Sequence, residues 1–205
     1  MTTMAPHALT PQLAEYREEL RRLLATHAVR YGTFTLTSGK TSDLYIDCRV
    51  VATLPRAMRA IGALMLHALR DLPQLRGVGG LAIGADPISA AVAYSSLDPQ
   101  LWSGDPLHMF MVRKEPKGHG MGKQVEGAFP PEPGARVAVV DDALTTGGSV
   151  LQAIQAVERE TQGKVACAVL IVDRLEGGAE RLKAEGYDVR SIFTRHDFPK
   201  DESGR

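Results

Sequence analysis

The sequence has little cysteine, few aromatic residues and no excess of either charge. Its 24 lysine and arginine residues balance 24 aspartate and glutamate residues, so the formal net charge is zero. A neutral chain has no general electrostatic attraction to nucleic acid or to a membrane surface. No apolar run approaches the length of a membrane span, and the first residues lack the charged and apolar order of a signal peptide. We therefore expect neither nucleic acid nor a membrane as a partner.

The two cysteines, Cys48 and Cys167, both lie in apolar, strand-like segments. In such a context a small buried side chain is a better interpretation than a disulfide bridge. A chain that does not depend on disulfides suits a reducing compartment, and we expect the protein in the cytoplasm.

The 205 residues, 44% of them hydrophobic, are enough for one domain with a substantial core. Helical and strand patterns alternate. Helices are predicted from Thr10 to an exit at Gly32 and over 53–72, and a polar tail is predicted from Arg195. Apolar strand patterns cover 78–83, 107–112, 137–140, 165–172 and 189–193. This alternation predicts an α/β fold, a mainly parallel twisted sheet with helices on both faces.

The most informative stretch runs from Arg136 to Ser149 and reads RVAVVDDALTTGGS. Its β-branched run predicts a buried strand that ends at Asp141 and Asp142, followed by a small, hydroxylated loop and a helix. The carboxyl ends of parallel strands are where ligands bind in such sheets, and a loop entering a helix N-terminus suits a phosphate. The loop lacks the lysine of a nucleotide P-loop. Two carboxylates beside a phosphate cradle favour a sugar phosphate, although a plain strand-to-helix turn with capping residues is the alternative.

VVDDALTTGGS resembles the phosphoribosyl pyrophosphate (PRPP) signature of the type I phosphoribosyltransferases. The resemblance implies that Asp141 and Asp142 hold the ribose, near an Mg²⁺ ion that is bound through PRPP and water without direct protein ligands. It also implies that the loop binds PRPP, mainly by backbone amides. The loop residues are Ala143, Leu144, Thr145, Thr146, Gly147, Gly148 and Ser149.

Residues 34–49, FTLTSGKTSDLYIDCR, read as two short strands around a turn at 38–41. A bare edge hairpin is the simplest interpretation. FTLTSGK followed by YID nevertheless resembles the N-terminal hood that covers the base in orotate phosphoribosyltransferases. We therefore expect one phosphoribosyltransferase domain over 1–205, with a small N-terminal hood from about residues 10–50. Thr37 stands where some members of that family have lysine.

A second glycine-rich polar stretch, Arg113 to Gly127, reads RKEPKGHGMGKQVEG. A solvated basic loop is the alternative interpretation. The pattern resembles the mobile loop of orotate phosphoribosyltransferases, which in that family reaches across a homodimer to the pyrophosphate of PRPP. By this resemblance Arg113, Lys114, Lys117 and His119 bind PRPP, and Lys117 and His119 join Asp141 and Asp142 as catalytic residues.

Arg174 follows the last strong apolar strand, in the sequence VDRLEGG. An arginine there can donate two parallel hydrogen bonds to a planar carboxylate. Resemblance to the same family implies that Arg174 and Thr145 bind orotate. A structural arginine paired with Asp173 or Glu176 is the alternative.

Taken together, the resemblance implies transfer of the phosphoribosyl group of PRPP to orotate, giving orotidine 5′-monophosphate and pyrophosphate. Two alternatives stay open from the sequence. One is a phosphoribosyltransferase for another base, since purine enzymes share the PRPP loop. The other is a PRPP-sensing regulator that binds nucleic acid, which would need a basic face or an added domain.

Overall fold

The structure is a computed structural model that describes residues 8–35, 41–72, 74–116 and 122–200. Within these ranges the helices are α1 Pro11–His27, α2 Arg49–Ala52, α3 Pro55–Leu69, α4 Asp86–Ser95, α5 Gly148–Glu160 and α6 Gly178–Ala184. The strands are β1 Val29–Thr35, β2 Thr41–Ile46, β3 Leu75–Leu81, β4 His108–Val112, β5 Val125–Gly127, β6 Arg136–Leu144, β7 Lys164–Asp173 and β8 Val189–Thr194. Helices and strands alternate along most of the chain, as the sequence predicts.

The main sheet has the strand order β5-β4-β3-β6-β7-β8. Its neighbouring strands pair in parallel, except that β5 runs antiparallel to β4. Parallel order brings the carboxyl ends of β3, β6 and β7 to the same edge of the sheet. The predicted mainly parallel α/β fold is confirmed.

Residues of β6 alternate between two apolar layers. Ala138 and Val140 belong to the layer under α1, α3 and α4, whereas Val137 and Val139 belong to the layer under α5 and α6. This period of two places alternate side chains on opposite faces of the strand. Helices therefore cover both faces of the sheet, and burying each valine contributes about 1.5–3 kcal/mol relative to exposure. No helix in the described ranges is both long and apolar enough to cross a bilayer.

The predicted hairpin forms a separate two-stranded antiparallel sheet of β1 and β2. Its turn, with Thr37 and Lys40, lies outside the described residues. The first strand begins at Val29 and includes Gly32, so the predicted helix exit at Gly32 is wrong and α1 ends at His27. Strand pairing between Val29 and Ile46 takes these residues out of the helix.

The expected polar tail from Arg195 is wrong for its first four residues. Arg195–Asp197 form a 3-10 turn, and the Phe198 side chain is buried. The tail also holds the hairpin, because Arg195 bonds Asp43 at 3.0 Å and the Tyr31 hydroxyl donates to the Phe198 carbonyl.

Candidate active site

A cleft of about 500 Å³ lies at the carboxyl edge of the sheet, and we call it the carboxyl-edge cleft. The sheet supplies its floor from the ends of β3, β6 and β7, while the hairpin and α2 supply one wall. Seven of the predicted site residues line it: Lys114, Asp141, Asp142, Ala143, Thr145, Ser149 and Arg174. The predicted convergence of strand ends therefore exists in this fold.

The two adjacent carboxylates lie within β6, which continues to Leu144 instead of ending before them. Pairing with β7 extends this strand, since Asp141 lies opposite Leu170 and Leu144 opposite Asp173. The Asp141 side chain is buried. Its Oδ1 accepts the Asp142 N–H at 2.9 Å, and Asp142 Oδ1 accepts the Ala143 N–H at 2.8 Å. These contacts fix both carboxylates beneath the cleft.

The environment of these acids disfavours their charged forms. Burial, and secondarily the neighbouring Asp142 charge, raises the pKa of Asp141 to about 7. Burial also raises the pKa of Asp142, although the Ala143 N–H bond and the Arg49 charge act to lower it. A ligand that brings hydroxyl donors or a cation to this point would stabilise the carboxylate forms.

The backbone at Gly84 covers the two carboxylates from the side of β3. A Cβ atom added at Gly84 would lie 3.5 Å from Asp141 Oδ1 and 3.6 Å from Asp142 Oδ1, so the backbone itself approaches the acids closely. The preceding Ala82–Ile83 peptide bond is cis, and both residues line the cleft. This loop supplies backbone groups to the cleft without a charged side chain.

The phosphate-cradle prediction rests on residues 145–149, where the chain passes from β6 into α5. Gly147 adopts a left-handed φ of 79°, which favours glycine. The loop lies directly on Gly178 of α6, where an added Cβ would be 2.4 Å from the Thr145 carbonyl oxygen. The first N–H groups of α5 have no partner within the helix, which leaves them available to an anion.

Four of the predicted loop residues do not line the cleft: Leu144, Thr146, Gly147 and Gly148. The Leu144 side chain is buried in the apolar layer under α5, so this residue can contact a ligand only through its backbone. Thr146 directs its carbonyl to Arg181 at 3.3 Å. The side chains that face the cleft from this segment are Thr145 and Ser149.

Arg174 is a buried cation at the edge of the cleft, with a side chain 6% exposed. Its Nη2 donates to the Leu44 carbonyl at 2.7 Å and contacts Glu176 Oε1 at 2.8 Å. The ion pair with Glu176 that the sequence leaves open is thus present, and the same guanidinium also joins the hairpin to the sheet. Both contacts hold Arg174 in the cleft that Thr145 also lines.

Only part of the basic stretch lies within the described residues. Lys114 lines the cleft, whereas Arg113 lies 3.8 Å from Glu126 and is not among the lining residues. The predicted catalytic residues Lys117 and His119 lie outside the described residues.

Sequence reasoning missed several cleft residues supplied by the hairpin side. Asp47 and Arg49 form a two-bond pair at 2.8 and 3.0 Å and line the cleft together with Tyr45. The YIDCR segment carried this information, but a sequence pattern alone does not say that a hairpin folds against the ends of distant strands. Gln152 of α5 also lines the cleft.

Acidic groups in the described ranges do not gather into a site that could bind a metal through protein side chains alone. No group of three or more histidine, cysteine, aspartate or glutamate side chains there has such an arrangement. Asp141 and Asp142 are the adjacent carboxylates at the cleft floor. Mg²⁺ commonly uses one or two carboxylates together with waters and substrate phosphates, so this pair fits a cation that arrives with a phosphorylated ligand.

Comparison with known proteins gives the family of the chain. The phosphoribosyl transferase domain model matches residues 85–202, more than half of the chain. An orotate phosphoribosyltransferase from Rhodopirellula baltica is 43% identical over 183 residues, covering 86% of this chain and 90% of the relative.

Solved structures agree with this assignment. The orotate phosphoribosyltransferase of Mycobacterium tuberculosis, in complex with Fe(III) dicitrate, superposes with a TM-score of 0.74 at 38% identity, covering 89% of this chain and 98% of that chain. The same enzyme in complex with PRPP gives a TM-score of 0.71 at 35% identity and the same two coverages, 89% and 98%. The chain therefore belongs to the orotate phosphoribosyltransferases, within the phosphoribosyl transferase domain family.

Proposed function

We propose that the carboxyl-edge cleft transfers the phosphoribosyl group of PRPP to orotate and releases pyrophosphate, a step of pyrimidine synthesis. The observation that carries the proposal is the meeting of three chemically different groups at one cleft. Two acids lie at its floor, hydroxyls and helix amides at one end, and a guanidinium at the rim. These groups match the ribose, the 5′-phosphate and the orotate carboxylate.

PRPP is held by β6 and the loop that follows it. Asp141 and Asp142 accept hydrogen bonds from the ribose hydroxyls. Amides of residues 143–149 surround the 5′-phosphate, with Thr145 and Ser149 adding hydroxyl donors and Leu144 acting only through its backbone. Because the loop is packed on Gly178, these donors are in place before the ligand arrives.

Mg²⁺ is the proposed cofactor. Asp141 and Asp142 would hold it through water and through the hydroxyls and pyrophosphate of PRPP, not as a dedicated protein site. When bound, it supplies positive charge against the leaving pyrophosphate. The raised pKa values of the two acids agree with a site whose carboxylates are stabilised only when such a ligand is present.

The basic stretch stabilises the leaving group in this proposal. Lys114 already faces the cleft, and we assign Arg113, Lys117 and His119 to the pyrophosphate on the basis of the sequence resemblance. Cations and an imidazole offset the charge that develops on pyrophosphate as the glycosidic bond breaks. Lys117 or His119 can donate a proton to it.

Orotate lies between Thr145 and Arg174. The guanidinium fork suits the planar carboxylate of orotate, and Glu176 and the Leu44 carbonyl hold the fork in orientation. The hairpin, as part of a hood from about residues 10–50 of a single domain over 1–205, covers the base and excludes water. The transition state resembles a ribosyl oxocarbenium ion, as in other glycosyl transfers.

A homodimer is part of the proposal, and the outer face of α4 supports it. Tyr94 in the last turn of α4 is 78% exposed, and Leu97 just after the helix is 62% exposed. Ile83, in the turn that precedes α4, is 80% exposed and lines the cleft. Large apolar side chains exposed on and beside one helix are typical of an association surface. A second subunit docked there would lie next to the cleft, where its basic stretch could reach PRPP. The last three residues of that stretch, predicted as loop, form strand β5 instead.

We place this function in the cytoplasm, in agreement with the two buried free cysteines, and we assign it no nucleic-acid or membrane partner. The test is a base panel in which purified protein, PRPP and Mg²⁺ are mixed with orotate, uracil, hypoxanthine or adenine and the nucleotide product is identified. We expect product from orotate alone. Product from hypoxanthine or adenine would indicate a phosphoribosyltransferase for another base, and a salt-sensitive gel shift of nucleic acid without turnover would indicate a regulator.

A further inference from the structure

The two ends of the basic stretch are joined by a set of hydrogen bonds centred on Gln124. Its Nε2 donates to the Arg113 carbonyl at 2.9 Å and to the Lys114 carbonyl at 3.2 Å. Gln152 of α5 donates to the same Lys114 carbonyl at 2.7 Å. The Arg113 N–H donates to the Gln124 carbonyl at 2.9 Å. Residues 113–114 and 124 are thus fastened together where the stretch leaves the sheet.

Gln124 is itself fixed by the end of α5. Glu160 Oε2 accepts the N–H groups of Gln124 at 2.7 Å and Val125 at 3.1 Å. Arg159 donates to Gln124 Oε1 at 2.6 Å and to Glu160 Oε1 at 3.0 Å. The Gln124 residue is 7% exposed, and both its amide N–H donors and its amide oxygen are used. A buried amide satisfied in this way has one orientation.

The carboxylate at the centre of this set is charged at neutral pH. Burial acts to raise the pKa of Glu160, but the N–H bonds from Val125 and Gln124, together with the hydrogen bond and charge of Arg159, hold the pKa below the ordinary value. Charge-assisted hydrogen bonds of this kind are about twice as strong as neutral ones. The attachment is therefore stronger than the pairing of a three-residue edge strand would provide alone.

The position of this set explains what it can do. Antiparallel pairing of β4 with β5 ends at Val112 and Val125, and the Gln124 bonds continue it by one residue on each strand. Lys114 is the first residue beyond that point, and it lines the carboxyl-edge cleft. The direction in which the chain leaves Arg113 therefore determines where Lys114 lies.

We propose that Gln124, held by Glu160 and Arg159, is a positioning residue that sets the direction of the chain at Arg113 and Lys114 and so aligns Lys114 with the pyrophosphate of PRPP. The inference rests on the proposed function, in which Lys114 binds the leaving group. Gln124 does not line the cleft and acts only through the loop ends.

The test compares Gln124→Glu and Gln124→Met with the control Gln162→Glu. Gln124→Glu keeps the side-chain shape but loses both donors and places a second carboxylate beside Glu160. Gln124→Met removes the polar contacts without adding charge. Gln162 is exposed just beyond the end of α5. Gln162→Glu therefore shows what a glutamine-to-glutamate exchange does away from the Gln124 hydrogen bonds. We expect both Gln124 variants to raise the KM for PRPP, or to lower kcat, about tenfold or more, because misplacement by about 1 Å can be this costly.

Three further measurements separate positioning from simple structural support. In the Gln124 variants we expect the KM for orotate to stay within about twofold and the melting temperature to fall by only a few degrees, about 1–2 kcal/mol for a chain of this size. Gln162→Glu should change none of these. Unchanged kinetics at Gln124, or equal increases in both KM values together with a large loss of melting temperature, would overturn the proposal.

A readout independent of turnover is limited proteolysis by trypsin, which cleaves after arginine and lysine and therefore next to the Gln124 bonds at Arg113, Lys114 and Lys123. Loss of the Gln124 bonds should speed cleavage at these sites severalfold relative to the wild type, with no change in Gln162→Glu. Equal cleavage rates would contradict the proposal even if the variants were inactive. A wild-type protein without orotate turnover would instead overturn the proposed function, while the cleavage rates would still decide whether Gln124 fastens the loop.

Discussion

Charged clefts lie at both edges of the main sheet, and they differ in how their charges are compensated. The amino-edge cleft, lined by Arg70, Arg76, Trp102, Asp105, Glu132 and Arg136, is the larger, at about 770 Å³. There Arg76 pairs with Asp105 and, at 3.2 Å, with Glu132, whose side chains are 74% and 50% exposed. Solvent and counter-charges already satisfy these groups, so no ligand is needed.

The carboxyl-edge cleft, by contrast, places two adjacent acids at its floor with one of them buried. Arg49, the cation whose charge acts on Asp142, forms its own pair with Asp47. The acids therefore keep raised pKa values, a cost that only a bound ligand can offset. Desolvated carboxylates without a cation partner of their own therefore distinguish the ligand-binding cleft better than its volume does.

The largest expected effect comes from removing one floor carboxylate. Asp142→Asn should lower kcat/KM about 10²–10³-fold, as the loss of a preorganised electrostatic contact does. Asp105→Asn in the amino-edge cleft, the matched control, should leave kcat/KM within about twofold. Steady-state rates with orotate and PRPP provide the measurement, and equal effects of the two substitutions would erase the distinction between the clefts.

A second prediction concerns the loop and the dimer. At an orotate concentration well below the wild-type KM, Lys117→Ala and Arg174→Ala should each retain little activity, but an equal mixture after subunit exchange should regain about a quarter of wild-type sites. In a two-fold dimer with loops acting across the interface, half the molecules are mixed and each has one intact site. Recovery is measured as turnover after dilution from mild denaturant. No recovery in a proven mixed dimer would remove the shared site.

Substituting one arginine in each cleft, Arg174 or Arg76, compares the two clefts directly. Arg174→Ala should raise the KM for orotate more than about tenfold, the range expected for a charged hydrogen bond to a carboxylate. Arg76→Ala should change neither KM, and its exposed ion pairs should contribute only about 0–1 kcal/mol to stability. Kinetics and thermal unfolding of both variants test this. A selective orotate effect at Arg76 would reverse the assignment of the clefts.

Protonation of Asp141 predicts a pH dependence. Because its pKa is raised to about 7, the carboxyl group is protonated in the free enzyme at lower pH and must lose its proton when PRPP binds. The KM for PRPP should therefore rise as pH falls below 7, by up to about tenfold per pH unit for one proton. Asp141→Asn should weaken PRPP binding at pH 8 and flatten this dependence. A parallel slope in the variant would assign the titration to PRPP itself.

The same raised pKa has a consequence for stability. Between about pH 4 and 7 the unfolded chain gives up the Asp141 proton while the folded chain keeps it, so folding weakens as pH rises through this range. Asp141→Asn should therefore raise the melting temperature by a few degrees at pH 8 and have little effect near pH 4. A melting temperature that falls at pH 8 would show that the acid stabilises the fold.

How much of the structure the sequence predicts depends on how far apart in the chain the interacting residues lie. The strand pattern before Asp141 and the helix after Gly147 were predictable because periodicity and glycine act locally. Continuation of β6 through two acids was not, because charges seldom lie inside strands and only the pairing with β7 reveals it. The three-residue β5 is too short to have a detectable period.

The cleft shows the same limit. The residues of its floor and phosphate cradle were predicted from one contiguous motif. Asp47 and Arg49, by contrast, reach the cleft from the hairpin side. The Gln124 contacts are made by the C-terminal end of α5. His67 is a smaller example, because the packing of α3 buries this polar side chain to 3% exposure. Each of these results from tertiary packing, which no local pattern encodes.

The most direct test of the central claim is to locate PRPP by NMR, with Mn²⁺ replacing Mg²⁺ as a paramagnetic ion. Adding PRPP and Mn²⁺ should broaden the amide signals of Gly84, Gly147 and Gly148 at the carboxyl edge. Signals of Gly104 and Gly134, and of the indole of Trp102, the sole tryptophan of the sequence, lie at the amino-edge cleft and should stay sharp. Broadening at Gly104, Gly134 and Trp102 instead would contradict the central claim.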